Sequence, residues 1–271
     1  MLLIVDLDGV VYRGAVPVPG MPALLTRRAA AGDTVVYVTN NSRWHRSDYA
    51  ERLRSMGAPH DAAFIVTAAR ATALALARGP AASATRPVMV FGGPGLAREV
   101  REVGRRTVAP SPFGLAADPG TVVVGVDFAL SYRRLSIAAE AVRGGAWFVA
   151  TNRDPNYPTA DALAAGAGSI VAALAVAGGR KPDLVIGKPE PGLLREAASL
   201  AGVPASSAVV IGDNLGTDIL AAHRVKARSV LMLTGVTTAA QLAATGPGAP
   251  APTAVARDAA ELDTILARLD R

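Results

Sequence analysis

The sequence predicts an α/β fold: a three-layer, doubly wound parallel sheet with a smaller α/β unit inserted into it. Three observations carry that expectation. Short, unbroken apolar runs at residues 2–5, 34–38, 208–211 and 229–233 alternate with Ala/Leu-rich helical stretches, the order expected of strands buried on both faces of a parallel sheet. These runs stop at polar residues of particular kinds, which is where open parallel sheets bind their ligands. A second strand–helix series fills residues 80–180, after which the first pattern resumes.

In chain order, residues 2–5 form a buried strand ending at Asp6. Pro19-Gly20 introduces a helix over 21–31, closed by Gly32. Residues 34–38 form the next strand, ending at Thr39-Asn40-Asn41-Ser42. A helix over 47–56 stops at Gly57, and another over 67–78 stops at Gly79-Pro80. Residues 81–85 are small and read as a linker. The inserted series then runs strand 88–91, helix 95–104, strand 121–126, helix 133–143 and strand 147–151, with Gly178-Gly179 and Pro182 at its far end. Strand 184–186 leads to Gly187-Lys188-Pro189, strand 208–211 to Gly212-Asp213-Asn214, and strand 229–233 to Thr234-Gly235. Residues 244–253 are a Gly/Pro/Ala surface loop, and 262–269 a closing helix. No internal repeat is present. The expected organisation is a catalytic domain of residues 1–79 and 181–271, interrupted by a cap domain of residues 80–180.

Composition narrows the function. Hydrophobic residues are 51% and charged residues 18% of the chain, so a packed core is expected. Aromatics are only 4%, which leaves Ala, Val and Leu to fill that core. The absence of cysteine excludes disulfides and thiolate metal sites. The opening MLLIVDLDGVV lacks a basic region and is interrupted by Asp6 and Asp8, so it does not read as a signal peptide. No stretch of about 20 apolar residues suggests a membrane span, and a cytoplasmic setting is expected. The net charge of +6 raises nucleic-acid binding as a candidate. The positive charge is mostly arginine scattered along the chain, with lysine only at 181, 188 and 226. That pattern raises the pI without building a basic tract, so no nucleic-acid partner is expected. A positive field still favours small anionic substrates.

Four loop sites carry the chemistry. Asp6 and Asp8 alternate along an extended segment and should point the same way. Two carboxylates so close need a cation or a shifted pKa. Asp213 arrives from another strand end as a third carboxylate, and oxygen ligands without His or Cys suit Mg²⁺. A turn or helix cap is the plainer reading of an isolated Asp-x-Asp. Lys188 can neutralise a phosphoryl group and a nucleophile together, against the alternative of an exposed surface lysine. Thr39, Asn40 and Asn41 offer hydroxyl, amide and main-chain donors for phosphate, or a simple turn.

Asp6-Leu7-Asp8-Gly9-Val10-Val11-Tyr12, Val38-Thr39-Asn40-Asn41-Ser42, Gly187-Lys188-Pro189 and Gly212-Asp213-Asn214-Leu215-Gly216-Thr217-Asp218-Ile219 resemble, in order, the four motifs of the haloacid dehalogenase superfamily. The insertion, with Phe148-Val149-Ala150-Thr151-Asn152-Arg153-Asp154, resembles the α/β cap of its class IIA phosphatases, the NagD and p-nitrophenylphosphatase group. That resemblance spans almost the whole chain. It implies an Mg²⁺-dependent phosphatase acting on small phosphorylated metabolites through an aspartyl-phosphate. Asp6 would be the nucleophile, and Asp8 the acid that protonates the leaving alcohol and then the base that activates water. Thr39 and Lys188 complete the catalytic set. Gly9, Asn40, Asn41 and Tyr157 would bind substrate. The Asp6 and Asp213 carboxylates and the Asp8 carbonyl would hold Mg²⁺, supported by Asn214 and Asp218, the latter ordering a metal-bound water or Lys188. A homodimer through the cap is carried over by analogy alone.

Alternatives stay open. The same machinery would serve a phosphotransferase or mutase, or survive as a silent metal- and phosphate-binding module. An Asp-x-Asp glycosyltransferase would leave Thr39, Lys188 and Asp213 unexplained. Tyr157 faces substrate in the resemblance, or is an ordinary loop tyrosine. Gly166 and Gly168 form a phosphate loop or, more simply, a helix entry. Tyr12 and Arg13 suggest a flap, Trp44 an entrance residue and Trp147 core. His45, His60 and His223 lack ligand spacing and read as structural.

Overall fold

Unbroken Val/Ile/Leu runs have no polar face to expose, and the fold buries each of them between two layers. The computed structural model describes residues 1–80, 85–158, 162–246 and 248–270. Residues 81–84 of the expected linker, and Thr159 at the end of the expected specificity segment, lie outside the described residues. The chain divides into two units. The first comprises Met1–Thr39, Ser47–Val66 and Lys188–Arg271, and the second Asn40–Arg46 and Thr67–Gly187.

The first unit is built on β1 (Leu2–Asp6), β4 (Thr34–Thr39), β5 (Ile65–Thr67), β13 (Val209–Gly212), β14 (Arg228–Met232) and β15 (Ala254–Ala256), in the order β15-β14-β13-β1-β4-β5. β1 pairs in parallel with both β4 and β13, and β13, β14 and β15 pair in parallel in turn. The chain leaves β1 toward β4 on one side and fills the other side only after the second unit. β1 is therefore the switch point of the sheet, where its loops diverge and open a crevice.

One face of this sheet, with Leu3, Val5, Tyr37, Val209, Ile211 and Val230, packs against α1 (Met21–Ala30), α2 (Arg46–Ser55) and α11 (Ala259–Leu269). Leu24, Leu25, Tyr49, Leu53, Leu262 and Leu266 are the buried helical partners. α8 (Gly192–Leu200) meets β1 and β4. A small hairpin, β2 (Tyr12–Arg13) with β3 (Val16–Pro17), follows β1.

The second unit repeats the plan on its own sheet. β6 (Val88–Phe91), β7 (Thr107–Val108), β8 (Thr121–Val124), β9 (Trp147–Ala150) and β12 (Leu184–Val185) are parallel in the order β12-β9-β8-β6-β7. Its core joins Met89, Phe91, Val122, Val124 and Phe148 to Ala138 and Val142 of α6 (Tyr132–Arg143) and to Ile170 and Leu174 of α7 (Ala167–Gly178). Small side chains let these helices approach closely: a Cβ at Gly178 would press on Val142. β10 (Asn156–Pro158) and β11 (Leu163–Ala165) form an antiparallel pair.

The unit edges fall elsewhere than the composition breaks suggest. α3 (Ala68–Ala77) packs on α4 (Pro94–Glu102) and joins the second unit. Strand 184–186, read from its apolar run as part of the first sheet, instead sets Val185 opposite Ala150 in the second. Lys188 thus begins the returning first unit directly after a strand of the second. Among the described residues, no helix is long and apolar enough to cross a membrane.

Candidate active site

Strand register brings the acids together. Asp6 lies opposite Val38 across β1 and β4, so Thr39 stands one residue beyond it. Val5 lies opposite Ile211, so Gly212 falls beside Asp6, with Asp213 next in line. Asp6, Asp213 and Asp218 each offer a carboxylate oxygen within 4.8 Å of the others. Lys188 Nζ donates to Asp6 Oδ1 at 2.6 Å and to Asp218 Oδ1 at 2.5 Å. Its side chain is 3% exposed, which removes the surface-lysine reading.

After β1 the chain turns tightly. The N–H groups of Val10, Val11 and Tyr12 converge on Leu7 O, and Gly9 N donates to Tyr12 O at 2.7 Å. The turn leaves the Asp8 side chain exposed at its outer edge. Gly9 has φ +80, and a Cβ there would collide with the Asp213 carboxylate. Glycine is therefore needed twice over, for the left-handed backbone and for the close approach. Gly212 is similarly confined, by the Asp218 side chain.

Asp218 lies in a π-helical turn, Leu215–Ile219, whose wide i→i+5 loop is a frequent local device at functional sites. Asn214 caps this turn: its Oδ1 accepts from Gly216 N at 2.8 Å, and its own N–H donates to Asp218 Oδ2 at 3.2 Å. Asp213 is held from the loop after β14. Val236 N donates to its Oδ2 at 2.7 Å, and Thr237 N to its carbonyl at 3.0 Å. Thr234 Oγ1 donates to Gly9 O at 2.6 Å, and Arg13 Nε donates to Thr234 O, which ties the β2–β3 hairpin to the same loop. Sequence reasoning missed residues 234–237, because nothing in a Thr-Gly-Val-Thr string marks it as a carboxylate clamp.

One ammonium group faces three carboxylates. Burial pushes the Asp6 carboxyl well above the usual range; Lys188 pulls it down, and Asp218 and Asp213 push it further up. Burial raises Asp213 to about 6, with Asp218 adding to the effect and the Val236 N–H opposing it. Burial alone would lower Lys188, but the Asp218 and Asp6 carboxylates outweigh it, so the group stays protonated. Protein around the Asp8 carboxyl raises it despite its exposed edge, while the charges of Arg52 and then Lys188 hold it back. The Arg52 guanidinium stacks 3.8 Å from the centroid of the Tyr12 ring. The site is short of positive charge, and its donors are hard oxygens.

The other expected site residues belong to the second unit. Asn40 Nδ2 donates to both Asp154 oxygens, at 2.9 and 3.2 Å, and Asn152 Nδ2 donates to Asn40 O at 2.6 Å. Asn41 Nδ2 donates to Tyr157 Oη at 3.1 Å. The Tyr157 ring meets Phe128 edge-on at 5.5 Å, and the Arg43 guanidinium lies 4.1 Å from Phe128 and 4.7 Å from the exposed Trp44. Gly166 is the N-cap of α7, and a Cβ at Gly168 would collide with Arg153 O, so this pair forms a helix entry. His45 Nε2 lies 3.2 and 3.1 Å from Glu99 and Glu102 oxygens, and Arg46 pairs with both acids. Arg70 also pairs with the fully buried Glu99. These pairings give the buried Glu99 the partners it requires. A cleft of about 320 Å³ lined by Met1, Leu2, Gly32, Thr34, Ala201, Val203 and Ser207 lies at the amino ends of β1 and β4, away from this chemistry.

A doubly wound sheet with an aspartate at its switch-point strand end, a buried lysine and clustered acids has the architecture of a hydrolase. A family model described as haloacid dehalogenase-like hydrolase matches residues 3–106, and a second HAD-hydrolase-like model matches residues 185–262. Mouse chronophin is 38% identical over 244 residues, covering 85% of this chain and 80% of that protein. The p-nitrophenyl phosphatase of Archaeoglobus fulgidus superposes with a TM-score of 0.88 at 30% identity, covering 97% of this chain and 98% of that one. A glycerol phosphate phosphatase of Mycobacterium tuberculosis, solved in complex with magnesium, superposes with a TM-score of 0.85 at 35% identity, over 96% of this chain and 75% of that one. The chain belongs to the haloacid dehalogenase-like hydrolases, in their phosphatase branch.

Proposed function

We propose that this protein is an Mg²⁺-dependent phosphatase that hydrolyses small phosphomonoesters through an aspartyl-phosphate, an acyl phosphate on Asp6. The observation that carries this reading is the Asp6 carboxylate at the switch-point strand end, paired with buried Lys188 and set among Asp213 and Asp218. Asp6 attacks phosphorus in line, and Lys188 offsets the charge that gathers on the nucleophile and the phosphoryl oxygens. Asp8 donates a proton to the departing alkoxide, then takes one from the water that cleaves the acyl phosphate. Thr39 and the Asn40 main chain bind phosphoryl oxygens, with the Asn41 side chain nearby, and Gly9 keeps the turn beside them open. Positioning and charge carry most of such a reaction.

The donor set fits Mg²⁺: three carboxylates face a single ammonium, with no nitrogen or sulfur ligand among them. The Asp6 and Asp213 carboxylates and the Asp8 carbonyl would hold the ion, with Asn214 and Asp218 behind them. Bound there, Mg²⁺ supplies Lewis-acid charge at the phosphoryl group. The second unit, centred on residues 80–180, acts as a specificity cap, and Tyr157, fixed by Asn41, is its substrate-facing residue. Phe113 and Tyr132, exposed on that unit, suit a homodimer through the cap. The absence of cysteine suits a reducing, cytoplasmic setting.

The test is phosphate release from a panel of phosphomonoesters, with and without Mg²⁺, for the wild type and Asp6→Asn. Mg²⁺-dependent release that vanishes in a folded Asp6→Asn protein is expected. Near-normal turnover in that variant would sink the nucleophile assignment.

A further inference from the structure

We infer that Arg52 is a positioning residue for Asp8: stacked on the Tyr12 ring, its guanidinium braces the turn that presents the Asp8 carboxyl to the leaving group. The inference rests on the reading of Asp8 as the general acid. Helix α2 turns Tyr49 and Leu53 into the core and leaves Arg52, three residues on from Tyr49, half-buried at the side of that stripe. Arg52 reaches the buried Tyr12 ring, 3.8 Å from its centroid, a separation at which guanidinium and ring attract by stacking and by charge.

Tyr12 is the frame of the Asp8 turn. Its carbonyl accepts from Gly9 N at 2.7 Å, its N–H donates to Leu7 O at 3.3 Å, and it forms an isolated bridge with Asp8. Residues on both sides of Asp8 are thereby fastened to Tyr12. Asp8 itself, exposed at its outer edge, depends on that frame for its aim. Arg52 touches none of the groups assigned to attack phosphorus. Its removal should therefore weaken proton donation while leaving nucleophilic attack largely intact.

That separation can be measured through the leaving group. An alkoxide is a poor leaving group and needs the acid's proton, whereas p-nitrophenolate departs as a stable anion. The experiment compares kcat/KM for glycerol 3-phosphate and p-nitrophenyl phosphate at saturating Mg²⁺, in the wild type, Asp8→Asn, Arg52→Met and Arg52→Lys. kcat/KM reports the steps up to departure of the alcohol, so later hydrolysis of the phosphoenzyme does not mask the effect. The expected result is a selective loss on the alkyl ester in Asp8→Asn. Arg52→Met should show the same selectivity, losing roughly tenfold more on the alkyl than on the nitrophenyl ester, with Arg52→Lys restoring most of it.

Equal losses on both esters in Arg52→Met, or no loss, would overturn the inference while leaving Asp8 in place. Absence of selectivity in Asp8→Asn removes the general-acid reading and this inference with it. A wild type silent on both esters strikes the proposed function itself. Should Arg52→Met not fold, Arg52→Gln keeps the stem and a planar head without the charge, and is read in the same way.

Discussion

The Asp213 carboxyl titrates near 6 because burial and the neighbouring Asp218 charge both disfavour its ionised form. An aspartate in the unfolded chain titrates near 4. Between those values the folded protein keeps a proton that the unfolded chain has released, so this group's contribution to stability is lost as pH rises from about 4 to 6. A shift of about two units amounts to roughly 3 kcal/mol at most. We expect the metal-free wild type to lose stability against Asp213→Asn across that window, measured by urea unfolding in EDTA. Parallel pH profiles for the two proteins would contradict the assignment. Asp213 was legible in the sequence, as were Asp6, Asp8 and Lys188, because each lies at or within three residues of the end of an apolar run, where parallel sheets gather ligands. Val236, which holds the Asp213 carboxylate, and Arg52, which reaches the Asp8 turn, were not. Their roles depend on which loops meet, and nothing in the local string at 52 or 236 records that.

Elements were readable to the extent that their residues repeat a pattern. The helix expected over 47–56 is found as Arg46–Ser55, and the strand expected over 34–38 as Thr34–Thr39. Short elements escaped: the hairpin at residues 12–17, the paired strands Asn156–Pro158 and Leu163–Ala165, and the edge strands Ile65–Thr67 and Ala254–Ala256, are too brief to show a period. The assignment of 184–186 to the first sheet failed for a related reason. A buried parallel run carries no mark of which sheet will accept it. Helix α2 shows what the pattern does encode. It is polar over most of its surface, and only Tyr49 and Leu53 are buried. Two inward side chains, four residues apart, therefore fix its seat on the first core. Leu53→Ala should cost about 3 kcal/mol, as expected for removing a fully buried leucine. Denaturant unfolding would measure it, and a loss under about 1 kcal/mol would mean that α2 is held by something other than this stripe.

Each unit has its own parallel sheet, and the two hydrophobic clusters described above each draw on the residues of one unit. The proposed Mg²⁺ ligands, Asp6, Asp8 and Asp213, all lie in the first unit, whereas both tryptophans, Trp44 and Trp147, lie in the second. The chain thus carries a natural reporter for the unit that does not bind the ion. A ligand stabilises only what unfolds with its site, by about 2.7 kcal/mol at one hundred times its dissociation constant. For a unit of this size that corresponds to roughly 5–10 °C in Tm. Saturating Mg²⁺ should therefore raise the main calorimetric transition of the first unit, while the tryptophan-fluorescence transition moves much less, and EDTA should reverse the shift. Equal shifts by both probes would mean that the two cores melt as one cooperative block. No shift by either, in a folded protein, would remove Mg²⁺ from the Asp6–Asp213 site.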